Sequence, residues 1–267
     1  MEKEIERIIS AYKQGYSLRS IGKDFGRSHL FVWKILKTFN PDILRPPRLY
    51  RKYSFDCRYF RNYTPENSYW MGFIDADGHV DTKRGRVELK LHCRDIDRVS
   101  ALRNSVSGNF PIYQFKTRPF VGILMFSRDM VSDLVQKNVG VKSPDLKPPI
   151  GIPENHVRHF IRGYFEGDGS ISLGHRPNGG LNPIFGILGS RRLLEWMKEK
   201  LIEQAGVKSR MKISPREGCW ALKLGSCNSL IKIRQYFYEN VNESLYMKRK
   251  KEKLDRICSW QKRDSIS

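Results

Sequence analysis

Two stretches, YWMGFIDADGHV at residues 69–80 and HFIRGYFEGDGSIS at 159–172, share one layout: an apolar helical run ending in acid-x-Asp-Gly. Acids are misplaced at the C-terminal end of a helix, where the macrodipole is already negative. Asp75 and Asp77 in the first stretch, and Glu166 and Asp168 in the second, therefore need a reason other than helix stability. Gly72 and Ala76 stand four apart, as do Gly163 and Gly167, so each helix carries a stripe almost bare of side chains. Glycine inside a helix costs up to ~1 kcal/mol relative to alanine, and close contact between the two stripes is the compensating gain. Packed in this way, the helices bring Asp77 and Asp168 to the same end of their interface. Two carboxylates beside two helix C-termini repel unless a cation lies among them. Oxygen donors suit a hard divalent ion, Mg2+ foremost, with Mn2+ as a substitute.

The chain says the same thing twice around these stretches. Helix 67–77 leads to a hairpin (GHVDTKR and RVELKLHC), the helix RDIDRVSALRNSV, strands FPIYQFKTR and FVGILMFS, and the helix RDMVSDLVQKNV. Helix 155–168 leads to SISLGHR and PIFGILGS, the helix RRLLEWMKEKLIEQAG, strands RMKISPR and CWALKLGS, and the helix NSLIKIRQYFYENV. Each half reads αββαββα, and Asp77 and Asp168 lie 91 positions apart (168 − 77). An internal duplication with pseudo-twofold symmetry is expected. The halves are assigned to 67–142 and 155–241, joined by a proline-rich bridge at 143–154. Residues 242–267 form a basic tail, read as a helical extension with a solvated face.

Residues 1–40 form a separate pattern of three short helices, with Ser17 and Ser28 as caps of the second and third. Their layout resembles a helix-turn-helix of the resolvase and transposase type, which would place Ser28, His29 and Lys34 toward the DNA groove. A basic, aromatic linker at 41–66 follows. It either runs along DNA with its cations on phosphates or packs its aromatics on the neighbouring domain.

Composition narrows the function classes. With 49 Lys and Arg against 28 Asp and Glu in 267 residues, the net charge of +21 favours a polyanionic partner, nucleic acid above all. Five cysteines without a C-x-x-C pair read as reduced thiols, not as a disulfide frame or a zinc site. The opening residues carry no apolar signal region, and no run reaches a membrane span, so a soluble, intracellular protein without a membrane partner is expected. There is no P-loop, G-x-S-x-G or dinucleotide fingerprint.

GFIDADG at 72–78 and GYFEGDG at 163–169 resemble the two motifs of a single-chain LAGLIDADG homing endonuclease, and the likeness runs from about residue 67 to 241. The resemblance implies an α+β fold of two pseudo-symmetric halves with saddle-like antiparallel sheets that enter the DNA major groove. It also implies a monomer that hydrolyses both strands of a long specific DNA site, leaving 3′ overhangs. By position, the catalytic and metal-binding acids would be Asp77, with the carbonyl of Ala76, and Asp168, with that of Gly167. Asp75 and Glu166 lie about 200° around the helix from them and fit a structural role. The family's auxiliary basic residue would be Lys223; FVGILMFS in the first half has no lysine, which makes unequal cutting of the two strands an expectation.

The polar faces of the strands offer Arg86, Lys90 and His92 in the first half, with Lys116 and Arg118 toward the end of FPIYQFKTR, and Arg210, Lys212 and Arg216 in the second. Such side chains can read base edges from a β-ribbon. Two other functions stay open: a maturase acting on intron RNA, and a DNA-binding regulator that does not cut.

Overall fold

The computed structural model describes all residues except 1, 15, 44–52, 116, 141–146, 178–179, 209 and 265–267. It divides into two compact units, residues 1–53 and 54–267. The first holds α1 (Glu2–Lys13), α2 (Leu18–Asp24) and α3 (His29–Phe39). Ser17 Oγ accepts from Ser20 N at 3.1 Å and Ser28 Oγ from Phe31 N at 3.2 Å, so both serines cap the helices they precede. Ile8, Tyr12, Ile21, Val32 and Leu36 form its core.

The second unit contains α4 (Pro65–Asp77), β1 (Gly78–Asp81), β2 (Arg86–His92), α5 (Ile96–Ser105), β3 (Tyr113–Gln114), β4 (Phe120–Phe126) and α6 (Arg128–Gln136). The pattern then repeats as α7 (Glu154–Asp168), β5 (Gly169–His175), β6 (Leu181–Gly189), α8 (Arg191–Ala205), β7 (Lys212–Arg216), β8 (Cys219–Leu224) and α9 (Cys227–Tyr238), and ends in α10 (Lys248–Asp264). The two four-stranded antiparallel sheets have one topology, β1-β2-β4-β3 and β5-β6-β8-β7. In β2, Val87, Leu89 and Leu91 are buried, whereas Lys90 is exposed and Arg86, Glu88 and His92 are half-buried, as alternation requires of a sheet with one covered face.

Helices α4 and α7 pack against each other, and every residue of α4 from Asn67 to Ala76 is buried. A β-carbon built at Gly72 would overlap the carbonyl oxygen of Phe160, and one at Gly163 would overlap that of Tyr69. The two bare stripes therefore meet backbone to backbone, and the contact is reciprocal.

Four features differ from the sequence reading. Helix α4 begins at Pro65 because Thr64 and Asn67 form a capping box: Thr64 Oγ1 accepts from Asn67 N at 3.1 Å and Asn67 Oδ1 from Thr64 N at 2.8 Å. Among the described residues, the FPIYQFKTR segment forms a strand only at Tyr113–Gln114, leaving Arg118 in an exposed loop. Residues 54–66 belong to the second unit. Asp56 N donates to Val106 O at 2.8 Å, Phe55 stacks edge-on against Phe110 at 5.6 Å, and Phe60 is buried, so the aromatics of this part of the linker serve packing. Lastly, the basic tail is helical with a solvated face, as the sequence suggests, but its other face is packed. Lys250, Leu254 and Ile257 of α10 are buried where the helix meets α9, β5 and β6.

Candidate functional site

The site begins where α4 and α7 end. The packing that brings Gly167 against Ala76 also sets the Asp77 carboxylate beside it: Asp77 Oδ2 lies 3.3 Å from where a Gly167 β-carbon would stand. Asp168 is the next residue, so both acids occupy one end of the helix interface, each half-buried. Their charges are felt together. Both raise the pKa of the buried Tyr164 phenol, although its burial is the larger cause.

The acids two residues earlier point into the protein. Glu166 is fully buried and accepts from Tyr69 Oη at 2.8 Å, Tyr238 Oη at 3.0 Å and Met247 N at 2.7 Å. Burial raises its pKa against the opposing pull of Arg162 and these donors. The Tyr69 bond crosses from one half to the other. Asp75 is less well served: its Oδ1 accepts from Gly140 N at 2.7 Å, but its buried Oδ2 has no hydrogen-bond partner. Burial raises its pKa to about 7, the Gly140 N–H opposes this, and the Asp168 charge adds to it.

Strand register shows how the two sheets present side chains beyond the acids. On the second sheet, Ser170 pairs with Gly186, which pairs with Lys223, which pairs with Lys212. Asp168, Ser170, Gly186, Arg216, Cys219 and Lys223 line a cleft of about 450 Å³, so Lys223 and Arg216 share a cavity with the second acid. The matching row on the first sheet runs from His79 to Glu88 to Leu124. Here a carboxylate replaces the glycine and an apolar side chain replaces the lysine. Glu88 accepts from Tyr113 Oη at 2.7 Å and pairs with Arg86 at 3.5 Å; Arg86 also pairs with Asp81 at 3.7 Å. Part of the Arg86 charge is therefore neutralised within its own sheet.

The other candidate side chains are dispersed. Lys90 is exposed and lies over the rings of Phe115 and Phe120 at 5.7 and 5.6 Å. His92 Nδ1 accepts from Arg94 N at 3.2 Å, which caps the short turn after β2. Lys212 is exposed on β7, whereas Arg210 precedes that strand and lines a different cleft with Arg176 and Trp260. Lys116 lies outside the described residues. In the first unit Ser28, His29 and Lys34 are exposed on or next to α3.

One residue here is missed by motif reasoning. Lys250 of α10 is 5% exposed and donates to the carbonyls of Phe165, Glu166, Gly167 and Gly169. Burial lowers its pKa to about 8 and Arg249 adds to the shift, while Glu166, Asp77 and Asp168 oppose it.

The donor set at the helix ends consists of two carboxylates and the backbone carbonyls behind them, that of Gly167 with one lone pair already taken by Lys250 Nζ at 3.1 Å; oxygen donors of this kind fit a hard divalent ion that keeps waters or phosphate oxygens in its remaining positions. No group of three or more His, Cys, Asp or Glu side chains that could hold a metal occurs among the described residues. No described helix is long and apolar enough to cross a membrane.

His159, in the motif helix α7, provides a pH test of this packing. Burial, followed by the charges of Arg162, Arg158 and His156, lowers its pKa to about 3. The folded ring therefore stays neutral while the unfolded one protonates below about 6.5, so this stability is complete above that pH and lost as pH falls toward 3. In denaturant titrations at pH 7.5 and 5.0, wild type should lose about 2 kcal/mol more than His159→Gln does, from the roughly 1.5 pH units between 6.5 and 5.0 at about 1.4 kcal/mol each. Equal losses would show that the ring is solvated.

No protein-family model matches the chain. A stretch of 109 residues, 41% of the chain, is 31% identical to part of a subunit of the A-type ATP synthase of Methanopyrus kandleri, covering 10% of that much longer protein. Among solved structures, the I-LtrWI LAGLIDADG homing endonuclease bound to target DNA aligns over 79% of this chain and 93% of its own, with a TM-score of 0.51 and 13% identity. A double mutant of I-SmaMI aligns over 77% of this chain and 94% of its own, with a TM-score of 0.50 and 12% identity. Together with the paired motif helices and the two matching sheets, these likenesses show that the chain has the single-chain, two-motif LAGLIDADG fold.

Proposed function

We propose that this chain is a divalent-metal-dependent endonuclease that cuts both strands of a long, specific DNA site as a monomer, leaving 3′ overhangs. The observation that carries the reading is that two tightly packed helices end in Asp77 and Asp168, with Asp77 Oδ2 3.3 Å from the β-carbon position of Gly167, the residue before Asp168. Acids so placed repel each other and attract a cation, and a chain of net charge +21 is suited to bringing a phosphate backbone to them. The resemblance of the first unit to a helix-turn-helix supports an extended footprint, with α3 and its exposed His29 and Lys34 in a groove.

Asp77 and Asp168, with the carbonyls of Ala76 and Gly167, would hold Mg2+, for which Mn2+ could substitute. A bound ion supplies an activated water and offsets the charge growing on the scissile phosphate. The chain's own residues orient the reaction. The sheet faces fix the register of the duplex, and Lys223 adds a positive charge on the Asp168 side of the cleft. The matching place in the first half holds Leu124 beside Glu88, so the strand served by Lys223 is expected to be cut faster. Lys223→Met should slow that strand by roughly 10²-fold and leave the other unchanged, the loss typical of removing one preorganised electrostatic group. Single-turnover assays with each strand labelled would measure this.

The deciding experiment incubates the full chain with a genomic or randomised duplex library, with Mg2+ or with EDTA, and sequences the ends. Recurrent, Mg2+-dependent ends at a common site support the reading. Binding to a common site without new ends points to a regulator, and selective retention of folded intron RNA points to a maturase.

A further inference from the structure

The end of α7 is held by a side chain from the other end of the chain. Lys250 Nζ donates to Phe165 O at 2.8 Å, Glu166 O at 2.7 Å, Gly167 O at 3.1 Å and Gly169 O at 2.7 Å. An ammonium has three protons, so at least one of them is shared between acceptors. Phe165, Glu166 and Gly167 lie in the last turn of α7, where carbonyls concentrate negative charge; Phe165 O also accepts from Gly169 N, the cap of the helix. A buried ammonium is costly unless its bonds are made, and here the surroundings supply four acceptors. The rest of α10 fixes its position. Met247 N, just before the helix, donates to Glu166 Oε2 at 2.7 Å, and Lys253 Nζ donates to Ile171 O at 3.0 Å. Arg249 forms a two-pronged pair with Asp95 of the first half at 2.9 and 3.0 Å. The matching end of α4 is tied differently, by a neutral donor: Gly140 N on Asp75 Oδ1.

We propose that Lys250 is a positioning residue: by binding the last-turn carbonyls of α7 it fixes the Gly167–Asp168 segment, and so sets the competence of the second half independently of the first. The inference rests on the nuclease reading above. It adds a regulatory dependence of one acid on the C-terminal helix, with Arg249 anchoring that helix to the opposite half. An ordinary core lysine would instead contribute to the stability of the whole unit and favour neither acid.

The test uses the full chain in wild-type, Lys250→Met, Lys250→Gln and Lys250→Arg forms; Gln is the alternative if Met does not fold. Hydrogen exchange without DNA compares residues 166–171 with the equivalent end of α4, 75–80. Strand-resolved cleavage then uses the site recovered from the library. We expect Met or Gln to speed exchange at 166–171 about tenfold with little change at 75–80, as local opening does. The Asp168-side strand should slow about tenfold and the other less than about twofold, with Arg restoring part of the loss by keeping a cation at the carbonyls. Unchanged exchange at 166–171, an equal rise in both segments, or equal slowing of both strands would overturn the proposal. Absence of cleavage by wild type would instead remove the nuclease reading itself, and this inference with it.

Discussion

Asp77→Asn and Asp168→Asn should each lower cleavage of the strand served by the altered side by about 10³-fold while leaving DNA affinity within a few-fold of wild type. The magnitude follows from the several kcal/mol of charge stabilisation that a bound divalent ion supplies, at about 1.4 kcal/mol per tenfold in rate. The substitutions preserve shape and remove one negative charge from a crowded helix end. The metal-free variants should therefore melt at or above the wild-type temperature, because carboxylate repulsion is relieved. Single-turnover rates on labelled strands, gel shifts and thermal scans together check the prediction. Full-speed cutting by both variants would mean that chemistry occurs elsewhere, and a large drop in melting temperature would mean that these carboxylates are structural.

The second large effect concerns stability. Gly163→Val should destabilise the second unit by at least ~3 kcal/mol, the upper range for forcing extra atoms into a packed interior. A β-carbon there would overlap the Tyr69 carbonyl oxygen and lie 3.0 Å from Phe73 N, and both belong to the backbone of a buried helix that has no room to shift. In a unit of this size that corresponds to a fall of roughly 10 °C in melting temperature. Gly174→Ala in β5 is the control. Its β-carbon would find only Asn182 O, at an ordinary 3.4 Å, so the change should stay within about 0.5 kcal/mol. If the two variants melt alike, the helices do not meet as closely as described.

Much of this architecture is legible in the sequence because its signals are periodic. The alternation in RVELKLH marks β2, the serines at 17 and 28 mark helix starts, and the four-residue spacings Gly72–Ala76 and Gly163–Gly167 mark the contact between halves. Where sequence and structure part, the reasons are local. Asn67 closes the capping box of α4 in a place where Glu or Gln is the familiar sign, so the sequence pattern starts the helix two residues late. Tyr113 and Gln114 are the only described residues of their segment in a strand, since strand propensity cannot show where a partner edge ends.

The packed side of the tail is hidden by the charges around it. Met247, Lys250, Leu254 and Ile257 recur at spacings of three, four and three and are all buried, so a lysine set in an apolar stripe is the signal that the sequence does hold. The cleft that joins Lys223 to Asp168 depends on cross-strand register, which no local pattern in the chain encodes.

The reciprocal packing of α4 and α7 also bears on whether the two halves must share one polypeptide. Each helix offers the other the same bare strip, so severed halves would be able to reassemble, and each could also pair with a copy of itself. The Tyr69–Glu166 hydrogen bond breaks that tie. By the 91-residue offset, Tyr69 corresponds to Phe160 and Glu166 to Asp75. A self-pair of second halves would set a phenyl ring against the buried glutamate, and a self-pair of first halves would face the phenol with the shorter aspartate. Only the mixed pair joins the hydroxyl to the longer acid, so a split version of this protein carries its own rule for choosing the correct mate.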